Sequence, residues 1–169
     1  MRKVLDGIYD GAAWVAALFM VGTLLSVLAG IVDRYLALGL RGTDMYAGYC
    51  MAGAGFLALA HTPKRGEHIR VTLILQKLKG AARRRLEIWS LVVATMLALL
   101  FAVYSVRLAY QSWSFNDIST GNDATPLWIP QISMAVGTVV LLIAFVDELV
   151  LEIRGRRKHV VSDEMLHNE

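Results

Sequence analysis

The sequence predicts an all-α membrane protein with four transmembrane helices and a short amphipathic helix at the membrane surface between the second and the third. Hydrophobic residues make up 56% of the 169 residues, against roughly 45–50% in soluble proteins. Four windows contain no Asp, Glu, Lys or Arg, and each is close to or longer than the roughly 20 residues that an α-helix needs to cross the hydrocarbon core. None alternates apolar and polar residues as the strands of a membrane β-barrel do.

The four windows, taken as spans in chain order, are residues 11–32, 45–63, 88–106 and 124–146. Arg2 and Lys3 precede the first window, an arrangement that is also typical of a cleaved secretion signal. Its apolar run is longer than the roughly 7–15 residues of a signal core, so we interpret it as a membrane helix. The single cysteine, Cys50, lies in the second window. We expect residues 1–158 to form one membrane domain, followed by a frayed tail over residues 159–169.

The distribution of Lys and Arg predicts the orientation of the spans. Of the 17 basic residues, 14 precede the first window, join the second window to the third, or follow the fourth. Cytoplasmic loops carry an excess of Lys and Arg, so we expect both termini and the second loop to be cytoplasmic. These charges are topology signals, and their expected partner is membrane phospholipid of the anionic inner leaflet, not nucleic acid.

The most basic stretch of the chain, residues 64–85, contains a short apolar stripe. One helical face, with i, i+3, i+4, i+7 spacing, is formed by Val71, Ile74, Leu75 and Leu78. We therefore predict a helix over residues 68–79 that lies on the inner membrane surface, with its stripe in the acyl boundary and Arg70 and Lys77 near lipid phosphates. The alternative is a solvated basic loop that only fixes the orientation.

Further candidate contacts lie in the same predicted helix. His68 and Arg70 are expected at the inner headgroup level, where the guanidinium of Arg70 can bind a lipid phosphate or a partner carboxylate in a forked geometry. Ile69 and Leu73 fall on the face opposite the apolar stripe. A single surface helix does not favour apolar residues there, so we expect a partner protein to cover them.

The spans lack the residues that a solute pathway or a catalytic centre requires. Intramembrane ionisable residues mark such pathways, and the four windows contain none of Asp, Glu, Lys and Arg. A haem-binding subunit needs axial ligands that face inward, and the windows hold one histidine, His61. No cofactor, metal site or catalytic residue is therefore predicted. The alternative classes are a membrane anchor subunit of a redox enzyme complex and a free-standing small transporter.

Small residues recur at every third or fourth position in three of the spans. Such stripes let membrane helices approach closely. They consist of Gly22, Ser26 and Gly30 in the first span, Gly48, Ala52 and Gly55 in the second, and Ser133 and Gly137 in the fourth. We expect them to pack the chain's own helices and to leave some surface for a partner.

The candidate contacts on the outer side are Asp44, Trp113 and Trp128. Asp44 precedes the second span, and we expect it to pair with Arg34 or Arg41, either as an exposed ion pair or across a complex. Trp113 and Trp128 fall near span ends, where an indole ring can rest at the headgroup level. The outer loop, residues 111–123, is the expected docking surface.

Two motifs carry a family resemblance. Residues 66–75 read G-x-H-I-R-V-x-L-I-L and residues 125–130 read T-P-L-W-I-P. Combined with the four-span topology, these motifs resemble the small membrane subunit of tripartite ATP-independent periplasmic (TRAP) transporters, the DctQ-like family. The resemblance covers roughly residues 5–155, and Asp44 falls where that family carries an acidic residue ahead of a glycine-rich helix.

The resemblance implies a three-part importer in the inner membrane of a bacterium. A periplasmic substrate-binding protein would capture an organic anion such as a carboxylate or sugar acid. A large multi-helix permease subunit would move that anion with a sodium gradient. A chain similar to this one would brace the large subunit and offer a periplasmic contact to the binding protein, while sodium and substrate bind elsewhere.

Overall fold

A computed structural model describes residues 2–59 and 81–154, and within these ranges the chain folds into four α-helices. They are α1 (Arg2–Leu36), α2 (Thr43–Leu59), α3 (Ala81–Ser114) and α4 (Trp128–Ile153). The described residues contain no β-strand beyond one isolated bridge between Ile118 and Pro126. The all-α prediction is confirmed. The predicted surface helix, residues 68–79, lies outside the described residues, as does the tail over 159–169.

The helices extend past the charge-free windows at several ends. α1 has 35 residues and α3 has 34, so charged residues at both borders of these windows belong to the helices. α4 instead begins at Trp128, four residues after the start of the fourth window. Ala124 has a positive φ of 47°, and the residue before Pro126 is biased away from helical dihedrals. Residues 115–127 are therefore a loop, held by backbone bonds from Ser119 N to Thr125 O (2.8 Å) and from Leu127 N to Asp117 O (2.9 Å).

Three helical segments among the described residues are long and apolar enough to cross a membrane. They are Gly7–Leu36, Ala82–Ser114 and Trp128–Ile153. The structure describes 17 residues of α2, and the remainder of the predicted second span, residues 60–63, lies outside the described ranges. Span two as a full crossing stays a prediction.

The helices stand side by side in the order α1, α2, α4, α3, in a row and not a closed bundle. α2 packs against α1 and α4, and α4 also packs against α3, while α1 meets α4 over only a small area. The loops 37–42 and 115–127 meet at one end of the row, here called the loop end. α1 and α3 therefore run toward the loop end, and α2 and α4 run away from it.

Small residues set the spacing between neighbouring helices. A Cβ added at Gly22 of α1 would lie 3.1 Å from the sulfur of Cys50, and one added at Gly137 of α4 would lie 2.6 Å from the carbonyl oxygen of Phe56. The stripes predicted in α1 and α4 thus pack the chain's own helices. The α2 stripe does not, because Gly48 and Gly55 face open space. Gly53 makes the close contact instead, with Phe19 and Ser133 both 3.2 Å from an added Cβ.

Both edge helices expose large apolar surfaces. In the most apolar stretch of α1 only 6% of the residues are buried, although Tyr9, Ala12 and Ala16 do form part of the core. Since a helix that is apolar on all sides is stable only in lipid or against protein, the outer flank of α1 needs one of these two environments.

Candidate functional site

The loop end is organised around a close contact between the two loops. Gly42 has a φ of +81°, and a Cβ added to it would lie 2.5 Å from the Cβ of Asp123. No other residue fits there, because the left-handed backbone conformation favours glycine and the neighbouring loop occupies the space of a side chain. The residue before α2 and the loop that leads into α4 are thereby held next to each other.

The carboxylate of Asp123 gathers hydroxyl groups from both sides of this contact. The phenol of Tyr49, on α2, donates to its Oδ2 at 3.0 Å, and the hydroxyl of Ser119 donates to its Oδ1 at 2.8 Å. The backbone N–H of Gly121 donates in turn to Ser119 Oγ at 3.2 Å. Gly42, Tyr49, Ser119 and Asp123 are called the Asp123 clasp below.

The clasp stabilises the charged form of its carboxylate. Partial burial raises the pKa of Asp123, but hydrogen bonds from three hydroxyl groups outweigh this effect and lower the pKa from 3.8 to about 2. These hydroxyls belong to Thr125, Ser119 and Tyr49. Asp123 is therefore an anion throughout the physiological range and holds the two loops together as a permanent acceptor.

Aromatic residues flank the clasp. The rings of Tyr46 and Tyr49 meet edge to face with centroids 6.2 Å apart, and the hydroxyl oxygens of Thr125 and Tyr46 lie 3.4 Å apart. Trp113, near the end of α3, lies 6.0 Å from the ring of Tyr110 and is exposed. Trp128 is half-buried as the first residue of α4. Both predicted tryptophans thus lie at the loop end.

Asp44 lies beside the clasp at the start of α2. Its Oδ2 is 4.0 Å from Nη2 of Arg34, and both side chains are about four-fifths exposed. Of the two predicted pairing partners, the structure selects Arg34. An exposed pair at this distance contributes about 0–1 kcal/mol, so it adds little to folding. The neighbouring Asp33 accepts a 2.9 Å hydrogen bond from the backbone N–H of Leu40, which helps to shape a shallow cavity of about 320 Å³.

The opposite end of the row is held by two arginines at the start of α3. Nε of Arg83 lies 3.1 Å from Oε1 of Glu87, a buried carboxylate one turn further along. Nη2 of Arg84 donates to the carbonyl oxygen of Ile153 at 3.0 Å. Sequence reasoning treated these arginines as topology signals only. Arg84 in fact binds one of the carbonyl groups that the end of a helix leaves without an intrahelical partner.

An apolar groove of about 420 Å³ lies where α1 and α4 both border α2. It is lined by residues of all three helices, among them Ala12, Phe19, Leu57, Ile132 and Val136. Ser133 supplies the one polar side chain in this lining, and its hydroxyl donates to the carbonyl oxygen of Pro130 at 2.7 Å. An opening of this kind accepts apolar chains and offers nothing to an ion.

The remaining predicted contacts lie outside the described residues. They are His68, Ile69, Arg70, Leu73 and Lys77, all in the predicted surface helix. Within residues 2–59 and 81–154, no three side chains of His, Cys, Asp or Glu come close enough together to hold a metal ion.

Sequence reasoning missed Tyr49 and Gly42 as parts of the site. Tyr49 was counted only as a residue of the second apolar window, although a phenol hydroxyl near the end of a span usually has a hydrogen-bond partner. The glycines at 39, 42 and 121 were signals of tight turns in the two outer loops. They did not show that the loops touch, because that contact depends on the packing of α2 against α4.

Comparison with the models of known protein families gives a match. The model of the family described as "Tripartite ATP-independent periplasmic transporters, DctQ component" matches residues 23–155. The matched region runs from the middle of α1 past the end of α4 and includes the Asp123 clasp. None of the curated proteins compared matches the chain.

Proposed function

The chain belongs to the DctQ component family of the tripartite ATP-independent periplasmic transporters, and from this membership we propose that it braces the large permease subunit of such a transporter. The family makes the chain a transporter component, with a large permease and a binding protein as its partners. Bracing is the specific role that we add. The large subunit would then move an organic anion with a sodium gradient, while the present chain binds neither.

The observation that carries this proposal is the open row of helices. A chain that encloses a solute needs helices around a common cavity, whereas here α1 and α3 occupy opposite edges. α1 buries little of its apolar surface within the chain, and the glycines at 48 and 55 of α2 face open space. Small residues on an outward face let another membrane helix approach closely. These surfaces suit contact with a larger helical protein.

The loop end is proposed to face the periplasm and to contact the binding protein. The positive-inside rule supports this orientation, because the basic second loop and both termini would then be cytoplasmic. The Asp123 clasp supports the proposed contact with the binding protein, since hydrogen bonds between the two loops hold them in place and reduce the ordering cost of docking. The row would lie in the bacterial inner membrane, with residues 68–79 on its cytoplasmic surface.

Copurification from the native host tests the bracing role. Extraction in a mild detergent through a tag on this chain should recover a much larger membrane protein in constant ratio. Transport by that protein in vesicles should fall when this chain is left out and return when it is added back. Recovery of this chain alone, or full uptake without it, would contradict the proposal.

Labelling from outside the cell tests the orientation. In a Cys50→Ala background, a cysteine at the exposed Asn116 should react with a membrane-impermeant maleimide in spheroplasts, and one at the exposed Arg85 should not. The reverse pattern would place the loop end in the cytoplasm.

A further inference from the structure

The two edge helices carry exposed aromatic side chains at equal intervals. The two most exposed on each helix are Trp14 and Tyr35 on α1 and Trp89 and Tyr110 on α3, each more than 60% exposed, while Tyr104 and Trp113 of α3 are each 59% exposed. Both pairs are separated by 21 positions, which is about 31 Å along an α-helix. Trp and Tyr concentrate at the two membrane interfaces, and the hydrocarbon core is about 30 Å thick. Each pair therefore fits the two boundaries of one bilayer.

Contacts across the row show that the two pairs are not level with each other. Gly22 of α1 lies against Cys50, and Gly53 of α2 lies against Ser133 of α4. At the far side of the row, Arg84 of α3 meets Ile153 of α4.

These contacts convert a position on one helix into a height on the next. Residues in contact are taken to lie at the same distance from the loop end, and positions between contacts are counted along each helix. Counted in this way from Trp14 across the row, the level position on α3 is near Leu99, ten positions from Trp89. At about 1.5 Å per residue, the aromatic pair of α1 lies about 15 Å nearer the loop end than the pair of α3.

The charge-free windows, placed on the same scale of heights, show the same displacement. Their midpoints lie near Val21 in α1, Ala54 in α2, Ala135 in α4 and Leu97 in α3. On the common scale of heights, each midpoint lies farther from the loop end than the one before it in the row. The total displacement is again close to ten residues, or about 14 Å. Charges avoid the hydrocarbon core, so these midpoints follow the slope of the bilayer across the row, and that slope agrees with the one given by the aromatic pairs.

We propose that the bilayer holds this row with its helix axes inclined about 30° from the membrane normal, within the plane of the row. Neighbouring helix axes are 8–10 Å apart, so the three steps from α1 to α3 cover about 27 Å. A displacement of about 15 Å over that distance corresponds to this inclination, which lies inside the usual range of about 0–40°. The membrane then crosses α1 nearer the loop end than it crosses α3.

The inclination places the Asp123 clasp at a membrane boundary. On the same scale, the boundary marked by Tyr35 and Tyr110 crosses α2 just before its first residue and crosses the chain close to Ala124. Asp123 and Gly42 then lie at the headgroup level, where an ionised carboxylate remains hydrated and the apolar part of α4 begins directly below it.

Spin labels at four matched positions test the inclination. The positions are Met20 and Leu25 on α1, and Leu100 and Tyr104 on α3, with exposures between 58% and 61%. Each is changed to cysteine in the full chain with Cys50→Ala, labelled, and reconstituted in vesicles of phosphatidylethanolamine and phosphatidylglycerol. Depth is read from the relative accessibility of the label to oxygen and to a nickel chelate.

An inclined row places the labels at 25 and 100 near the bilayer centre, and those at 20 and 104 about 7 Å from it in opposite leaflets. An upright row exchanges the two results, with 20 and 104 central and 25 and 100 displaced, and would overturn the proposal. Infrared linear dichroism of the unlabelled wild-type chain in oriented bilayers supplies a second measurement that needs no substitution. A mean helix tilt near 30° is expected, and one below about 15° would also overturn the proposal.

Discussion

The guanidinium of Arg84 donates a 3.0 Å hydrogen bond to the carbonyl oxygen of Ile153 and ties the first turns of α3 to the last turn of α4. A cation at a helix C-terminus is favoured by the helix dipole as well as by the free carbonyl groups. The contact closes the α3–α4 pair at the end opposite the loops.

Replacement of Arg84 by alanine should loosen this end of the pair. We expect a loss of about 0.5–1.5 kcal/mol in the free energy of unfolding, together with faster amide exchange in the last turn of α4. Arg85→Ala removes an exposed neighbouring charge and is the control. Equal effects of the two substitutions would show that the hydrogen bond to Ile153 contributes nothing specific.

Gly137→Ala should destabilise the contact between α2 and α4. The new Cβ would lie 2.6 Å from the backbone carbonyl oxygen of Phe56, so the two helices must separate, and overpacking of this kind costs about 1–3 kcal/mol. Gly48→Ala is the matched control, because that helical glycine faces open space and alanine is the better helix former. Thermal unfolding in detergent measures both. Similar stabilities of the two variants would argue against the close approach of α4 to α2.

Gly42→Ala should open the contact between the two outer loops. The substitution combines an unfavourable positive φ with a Cβ 2.5 Å from that of Asp123. Gly39→Ala shares the positive φ, at 74°, but its added Cβ meets nothing within 4 Å. A left-handed residue costs of order 1–3 kcal/mol, so the excess loss in Gly42→Ala isolates the loop contact. Protease cleavage within residues 115–127 should increase in Gly42→Ala and stay near the wild-type rate in Gly39→Ala.

The Asp123 clasp should lose its stabilising effect in acid. Its folded-state pKa of about 2 lies below the ordinary value of 3.8, so its contribution is complete above about pH 4 and is lost as the pH falls toward 2. Amide exchange in residues 115–127, measured across that interval, should show a transition that Asp123→Asn abolishes. Asp117→Asn alters an exposed carboxylate of the same loop and should leave the transition in place. A transition that survives in Asp123→Asn would assign it to another group.

Arg70→Glu should lower assembly with the large subunit or its transport rate without altering the substrate range. The reason is that, at the inner headgroup level proposed for Arg70, a reversed charge would repel lipid phosphate or a partner carboxylate, while the proposed bracing role leaves substrate binding to the large subunit. Uptake competition with several organic anions measures the range, and Arg65→Glu is the control for a general change of loop charge. A new substrate preference in Arg70→Glu would refute the bracing role.

Much of the fold follows from composition and spacing, because charge-free stretches of the right length have few alternatives in a bilayer. Each window falls largely within one of the four described helices. The basic residues predicted which helix ends share one side of the membrane. The order of the row was not accessible in this way. It depends on Gly53 and Gly137 meeting α4 and α2 at close range, while Gly48 and Gly55, with the same spacing and chemistry, face outward. Nothing in a stripe of small residues distinguishes a face used inside the chain from one left open.

The site was predicted in part for a similar reason. Asp44 and its two candidate partners, Arg34 and Arg41, were identified from the sequence because charged residues at the border of a span stand out from the apolar residues around them. The partnership of Tyr49 with Asp123 joins residues 74 positions apart. It exists only because α2 packs against α4 and both helices run away from the loop end, which the identities of the two residues do not reveal.

A row in which each helix packs mainly against its neighbours divides its stability among a series of interfaces, as repeat proteins do. Separation of α1 from α2 therefore leaves the α4–α3 pair with its own contacts intact. An edge helix such as α1 can therefore exchange its contact with lipid acyl chains for contact with another protein, or the reverse. The energetic cost is largely confined to the interface between that helix and the rest of the row.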